Sequence, residues 1–245
     1  MIVPPPLALL QATCPPWFTI SLRATSRIEG TANVIPDGAA TGISLDLVMS
    51  FGAGGVDVRE REGKVLPKFC PDRHINSDGT FCLGYPEPRL SSIDEAIVWW
   101  GLLKDYIGLQ RVASRTGKWP PKRWLSHGDA GPFHIQALEA AKRLGIEEDY
   151  YRNLEGQPVW FTNPLIRLDR KGTRLVNGRS SCPMGCKHRR GYPILRRNCL
   201  HKDDIVTLVR AEALRRMSEA AFWVKMKEKR GVKCCGTMKR CPLKI

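Results

Sequence analysis

The stretch HINSDGTFCL, residues 74–83, decides how this sequence is interpreted. It lies in a segment rich in Pro, Gly, Asp and Asn, where a loop is expected. The pair Asp78–Gly79 is a turn signal, and the thiol of Cys82 follows it closely. A thiolate attacks a carbonyl and also leaves it readily, so a cysteine on a partly exposed loop suits acyl transfer. Cys82 is therefore the candidate nucleophile.

Short strands precede this stretch and an amphipathic helix follows it. Alternating apolar and polar residues predict four strands, which cover residues 17–24, 28–35, 43–51 and 55–66. Their close spacing favours an antiparallel meander. A capping box at Ser92 and Glu95, followed by apolar residues at helical spacing, predicts a helix that stops near Gly117.

The stretch and its setting resemble the active-site region of ubiquitin-conjugating (UBC) enzymes, which reads roughly HPN-I-N-x-x-G-x-I-C-L. The residues that match in register and without gaps are Ile75, Asn76, Gly79, Cys82 and Leu83. The resemblance covers roughly residues 17–115. It implies an α+β fold with a UBC-like antiparallel β-meander and a crossover helix. It also implies that Cys82 carries an acyl group as a thioester.

His74 marks a departure from that family's pattern. The family's His-Pro-Asn triplet falls on Asp72-Arg73-His74, so His74 replaces the Asn that helps to stabilise the oxyanion. We expect His74 to donate a hydrogen bond to that oxyanion or to assist proton transfer to the incoming amine. The structural alternative is a histidine that caps a turn. Prolines at 4–6 and 15–16 flank the place of the family's N-terminal helix, which is therefore expected to be absent or reduced to about residues 6–13. In that family the helix contacts the activating enzyme, so ordinary activating-enzyme recognition is not expected.

Charge and cysteine content change together near residue 155. Residues 1–155 carry 17 Lys and Arg against 18 Asp and Glu, whereas residues 156–245 carry 22 against 6. Six of the nine cysteines also lie in the second part. The sequence therefore predicts a UBC-like conjugating domain over 1–155 and a small, basic, Cys-rich, mainly helical unit over 156–245.

Further elements are predicted on both sides of that boundary. Periodicity indicates helices over 132–144 and 203–229, and an extended segment over 158–177 with a turn at Lys171–Gly172. The stretch WPPKRWLSHG, residues 119–128, is interpreted as a loop that its tryptophans pack against the sheet. A role at the thioester site is the alternative for this loop.

The second part also carries a candidate metal site. A structural zinc site with four ligands could be formed by Cys182, Cys186, Cys199 and His201, whose residue types and spacing roughly fit such a site. A second set could come from Cys234, Cys235 and Cys241. Reduced thiols in a small core are the alternative. Acyl transfer by Cys82 itself is expected to need no cofactor.

The sequence predicts neither secretion nor a membrane span. The N-terminal residues MIVPPP lack the basic start of a signal peptide, and no apolar run approaches the roughly 18 residues of a spanning helix. A cytoplasmic location is expected, where thiols stay reduced. The net charge of +15, concentrated in residues 156–245, indicates an acidic protein face as partner, with nucleic acid as the rival.

Three functions are consistent with these residues. The first is a transferase whose Cys82 accepts the C-terminal carboxyl of a partner protein. The chain resembles bacterial UBC-like proteins with Cys-rich extensions, which are associated with CBASS anti-phage systems. This resemblance implies a cGAS/DncV-like nucleotidyltransferase as the partner. The second is a non-catalytic adaptor that binds nucleic acid through a zinc-stabilised basic unit. The third is a cysteine hydrolase of conjugates that uses Cys82 and His74.

Overall fold

A computed structural model describes residues 5–36, 40–52, 55–84, 89–164, 166–176 and 199–244. The chain forms two compact units. The first unit combines Met1–Pro120 with Gly231–Ile245, and the second unit is Pro121–Arg230. Because residues return to the first unit after the second one ends, the units are not simple consecutive halves of the sequence.

The first unit contains a four-stranded antiparallel sheet. Its strands, in chain order and in spatial order, are β1 (Phe18–Arg23), β2 (Arg27–Val34), β3 (Ile43–Gly52) and β4 (Gly55–Glu60). Each strand pairs with the next one, and one irregularity interrupts the register of β1. The predicted β-meander is therefore confirmed. Alternating residues of β2 and β3 are buried, which gives the sheet one apolar face.

Two helices cover this apolar face. Helix α1 (Pro6–Ala12) is the short N-terminal helix that the proline positions predict. Helix α2 (Ile93–Thr116) is the predicted crossover helix. Its N-terminus is capped by the Ser92 side chain, which accepts a 3.2 Å hydrogen bond from the Glu95 amide. The helix ends at Gly117, whose φ of 67° is a left-handed conformation that glycine adopts without strain.

The last residues of the chain pack into the first unit. We call residues 231–244 the tail. Its three most deeply buried side chains are Met238, Cys241 and Leu243. The Lys239 amide donates a 2.9 Å hydrogen bond to the carbonyl of Gly117, so the tail is fixed at the C-terminus of α2.

The second unit is helical. It contains α3 (Gly131–Arg143), α4 (Glu147–Leu154) and α5 (Lys202–Glu228). Its core is formed by small and branched apolar residues of α3 and α5 together with Tyr150 and Phe161. The helices predicted over 132–144 and 203–229 match α3 and α5. The segment predicted as extended holds a single bridge between Leu168 and Leu175 among its described residues, on either side of the turn at Gly172.

The division between the units differs from the predicted boundary at residue 155. It lies at Pro120–Pro121, and the tail belongs to the first unit. The charge change is a property of exposed side chains, whereas a unit is defined by shared apolar burial. Helices α3 and α4 precede residue 155 and α5 follows it, yet α3 packs against α5 through buried alanines at 137, 140 and 141. Among the described residues, no helix has the length and apolar character needed to cross a membrane.

Candidate active site

Residues 74–82 form a two-stranded hairpin, here called the Cys82 hairpin. Ile75 and Phe81 pair antiparallel, and the Asn76 amide donates a 2.8 Å hydrogen bond to the Thr80 carbonyl. At the open end, the Cys82 amide donates a 2.9 Å hydrogen bond to the carbonyl of His74. The Phe81 amide also donates to the carbonyl of Val58 in β4 at 2.8 Å. The hairpin is therefore attached to the β4 edge of the sheet.

The turn of the hairpin is set by Asp78 and Gly79. The Asp78 carboxylate accepts hydrogen bonds from the amide and hydroxyl of Thr80 at 3.0 and 2.7 Å. Gly79 has a φ of 84°, which suits a residue without a side chain. Burial is the largest influence on the Asp78 carboxyl and opposes its ionisation, but the hydrogen bonds from Thr80 and the charge of Arg59 outweigh it and lower its pKa. The turn signal seen in the sequence thus acts through an ionised side chain.

Cys82 is half-buried and follows directly on the buried Phe81. Phe81 stacks on Tyr106 of α2 with ring centroids 4.7 Å apart. A half-buried thiol at the end of a pinned hairpin combines a fixed position with partial access from solvent. Partial exposure distinguishes a potentially reactive cysteine from an inert, fully buried one.

His74 lies directly opposite Cys82 across the hairpin. A 3₁₀ turn, Pro71–Arg73, ends at His74, whose φ of 54° is left-handed and whose amide donates to the Pro71 carbonyl at 2.7 Å. The side chain is buried, and its imidazole meets the Trp119 indole edge-on with centroids 4.8 Å apart. His74 therefore caps a turn, which is the non-catalytic alternative considered for it. Its backbone carbonyl also accepts the hydrogen bond from the Cys82 amide. The catalytic role of its imidazole stays a prediction.

Two side chains of α2 form hydrogen bonds to the backbone where the Cys82 hairpin begins. The Tyr106 hydroxyl donates to the carbonyls of Arg73 and His74 at 3.2 and 3.1 Å. The Gln110 amide donates to the Arg73 carbonyl at 2.6 Å. Both side chains are buried, so these bonds satisfy polar groups that water does not reach.

Arg73 is at the centre of this hydrogen-bond network, and only 1% of its surface is exposed. Its guanidinium donates to the side chain and backbone oxygens of Gln110 at 2.8 and 3.1 Å, and to the Ser114 hydroxyl at 2.7 Å. A longer bond of 3.4 Å reaches the Thr237 hydroxyl in the tail. Burial lowers the pKa of the Arg73 guanidinium. Arg73 thus connects the hairpin with α2 and with the tail.

Tyr106, Gln110 and the buried role of Arg73 were not predicted from the sequence. One signal was available, because Gln110 lies three residues after Ile107 on the apolar stripe of α2. A polar residue on a buried stripe needs a partner, and the partner here is Arg73.

The stretch 119–128 is divided between the two units. Trp119 belongs to the first unit, where it is buried against His74 and Tyr106. His127 belongs to the second unit, where its amide and Nδ1 lie 2.8 and 2.6 Å from the Glu219 carboxylate. Its imidazole also stacks on Phe222. Trp119 therefore packs on the Cys82 hairpin, whereas His127 is part of the helical core region.

The predicted zinc ligands are only partly described. Cys182 and Cys186 lie outside the described residues. Cys199 is half-buried against the apolar core of the second unit, and His201 directly precedes α5. Within the parts of the chain that the structure describes, no three His, Cys, Asp or Glu side chains converge as a metal site requires, and this includes the cysteines of the tail. The zinc site stays a prediction, and metal analysis of the Cys199→Ala protein would test it.

Comparison with known protein families assigns both parts of the chain. The prokaryotic E2 domain family matches residues 18–121, which contain the sheet, α2 and the Cys82 hairpin. The family of cysteine-rich domains found C-terminal to an E2 domain matches residues 126–243. No individual curated protein and no solved structure matches the chain. The chain therefore belongs to the bacterial E2-like family in which a prokaryotic E2 domain is followed by a cysteine-rich domain.

Proposed function

We propose that this protein is an acyltransferase in which Cys82 accepts the C-terminal carboxyl of a partner protein as a thioester. The Cys82 thiolate attacks the activated carboxyl carbon, a carbon–sulfur bond forms, and the activating group leaves. An amine then attacks the thioester, an amide forms, and the thiolate is released. The observation that carries this proposal is the half-buried Cys82 at the end of a hairpin pinned to a sheet and to α2, in a chain of the E2-like family.

We assign His74 as the group that assists the reacting carbonyl, by donating to the oxyanion or by moving a proton at the incoming amine. Its position opposite Cys82 supports this role. Its left-handed backbone allows a specific test, because both Asn and Gly tolerate that conformation. His74→Gly removes the donor, and transfer should fall about a hundredfold or more. His74→Asn keeps a side-chain donor and should lose less. Equal losses in both variants would contradict the donor role.

For the partner we propose a cGAS/DncV-like nucleotidyltransferase in bacterial anti-phage defence, in the cytoplasm. This choice rests on the likeness to UBC-like proteins with Cys-rich extensions that are associated with CBASS. The excess of Lys and Arg in residues 156–245 supports an acidic face on the partner.

The test replaces the thioester by a more stable ester. The Cys82→Ser protein, isolated from its native cells, should carry a partner protein in an adduct that resists thiol reductants, and intact-mass analysis should identify the partner. Cys14→Ser is the matched control, because Cys14 is another half-buried cysteine of the first unit. That variant should keep the reductant-sensitive adduct of the natural protein, and Cys82→Ala should carry none.

Two outcomes would overturn the proposal. The first is a Cys82→Ser protein that carries no adduct, together with a Cys82→Ala protein that still binds nucleic acid with a steep salt dependence. This pair of results would indicate an adaptor. Labelling of Cys82 by an electrophilic C-terminal peptide, with no carrier adduct in any variant, would indicate a hydrolase of conjugates.

A further inference from the structure

Two cysteines that are distant in sequence lie side by side in the first unit. The sulfur atoms of Cys70 and Cys235 are 3.0 Å apart, within hydrogen-bonding distance. Cys70 is 1% exposed and immediately precedes the 3₁₀ turn that ends at His74, whereas Cys235 is half-buried in the tail. No third ligand joins them among the described residues, so the pair is not a metal site there.

The two thiols differ in acidity as well as in access. The hydrogen bond with Cys70 is the largest influence on Cys235; burial opposes it, but further hydrogen bonds from Thr237 and the charge of Arg73 help to lower the pKa of Cys235 to about 5. The same contact and burial raise the pKa of Cys70 well above its usual range. The pair thus joins one partly exposed thiol with one buried thiol. A nucleophilic thiol beside a resolving thiol is the arrangement found in redox-active dithiols.

We propose that Cys70 and Cys235 form a redox-active dithiol site that reacts with low-molecular-weight disulfides, with Cys235 as the attacking residue and Cys70 as the resolving residue. The Cys235 thiolate attacks one sulfur of the small disulfide, which gives a mixed disulfide and releases one small thiolate. Cys70 then loses its proton and attacks the Cys235 sulfur, which releases the second small thiolate. The two protein thiols are oxidised by two electrons, and the small disulfide is reduced to two thiols.

The bond requires little movement. A disulfide is about 2 Å long, so the two sulfurs need to approach by about 1 Å. The backbone of Cys70 pairs with Ile75 of the Cys82 hairpin through two hydrogen bonds of 3.2 and 3.0 Å. Oxidation would therefore tie the tail covalently to the base of that hairpin. The inference does not rest on acyl transfer, because it uses neither Cys82 nor a partner protein.

The experiment treats the full-length Cys82→Ser protein with glutathione disulfide. The protein should lose the mass of two hydrogen atoms, and peptide mapping should find Cys70 joined to Cys235. Cys235→Ser should abolish this bond, whereas the matched control Cys234→Ser, at the adjacent cysteine, should keep it. Cys70→Ala should retain glutathione on Cys235 as a trapped mixed disulfide.

Two results would overturn the proposal. One is a map in which Cys235 pairs with Cys234 or Cys241, or stays reduced while other thiols are modified. The other concerns access and needs no variant. Iodoacetamide should alkylate Cys235 in the folded protein much faster than Cys70, because Cys235 is half-buried and Cys70 is 1% exposed. Alkylation of Cys70 before Cys235 would contradict the roles assigned to the two thiols.

Discussion

The carbonyl oxygen of His74 accepts two hydrogen bonds, one of 2.9 Å from the Cys82 amide and one of 3.1 Å from the Tyr106 hydroxyl. The first bond closes the hairpin and the second fixes the hairpin to α2. The position of the candidate nucleophile is therefore determined by backbone groups and by a buried tyrosine. Accurate placement of a reacting atom is a main source of catalytic rate, so this support has a functional consequence.

Tyr106→Phe should loosen the Cys82 hairpin without unfolding the first unit. The change leaves the aromatic stack on Phe81 in place and removes the hydroxyl that serves two buried carbonyls. Loss of buried hydrogen bonds costs about 1–2 kcal/mol, so amide exchange in peptides covering residues 75–82 should accelerate roughly tenfold. Hydrogen–deuterium exchange with mass spectrometry measures this rate. Peptides from α5 provide the internal control and should not change. Unaltered exchange in the hairpin would show that the hydroxyl does not support it.

Arg73→Lys should destabilise the protein although it keeps the charge. A lysine cannot reproduce the planar set of donors that serves Gln110 and Ser114, and their buried oxygens would lose partners. We expect a loss of about 2–3 kcal/mol in the free energy of unfolding, measured by urea denaturation. Arg111→Lys is the matched control. Arg111 bonds the Gly42 carbonyl at an exposed site, so that change should cost less than about 0.5 kcal/mol. Similar losses in both variants would contradict the role assigned to burial.

Local sequence signals predicted the elements that carry the candidate site. Alternation of apolar residues predicted all four strands, because one face of an antiparallel sheet is buried. The Ser92 cap and Gly117 predicted both ends of α2, since each supplies a hydrogen bond or a backbone conformation that acts within one turn. The Asp78–Gly79 pair predicted the hairpin turn for the same reason.

Contacts between residues that are distant in sequence could not be predicted from such local signals. Arg73 and Gln110 are 37 residues apart, and Arg73 and Thr237 are 164 apart. Only the folded chain brings them together. The return of the tail to the first unit is of the same kind, so the boundary at residue 155 followed charge and not packing. Helix α4 was also not predicted, because eight residues with three acids in the first turn offer little apolar periodicity.

The second unit should lose stability in mildly acidic solution because of His134. This side chain is buried, and its Nδ1 lies 3.3 Å from the Ser126 hydroxyl, which also accepts a 3.1 Å hydrogen bond from Arg215. Burial, followed by the charge of Arg215, lowers the pKa of His134 from 6.5 to about 4. The unfolded chain therefore binds a proton between those values that the folded chain does not bind.

The resulting loss has a defined window and size. Stability is fully present above pH 6.5 and should decline by about 3 kcal/mol as the pH falls to about 4. The buried Glu212 and Glu219 add to the loss as the pH falls through about 4.5, the ordinary pKa of a glutamate in the unfolded chain. Burial opposes their ionisation most strongly, yet hydrogen bonds and charges from Arg215 and His127 keep the pKa values of both carboxyls below the usual range.

Urea denaturation at several pH values, followed by helical circular dichroism, measures this slope. His134→Gln should lower the stability at neutral pH but remove the decline between pH 6.5 and about 5, above the range in which the glutamates contribute, because glutamine does not titrate. His201→Gln is the matched control, since His201 precedes α5 and makes no capping bond through its side chain, and it should keep the decline. A slope that survives in His134→Gln would mean that another group takes up the proton, and the buried histidine would then not be the acid-sensitive element of the helical unit.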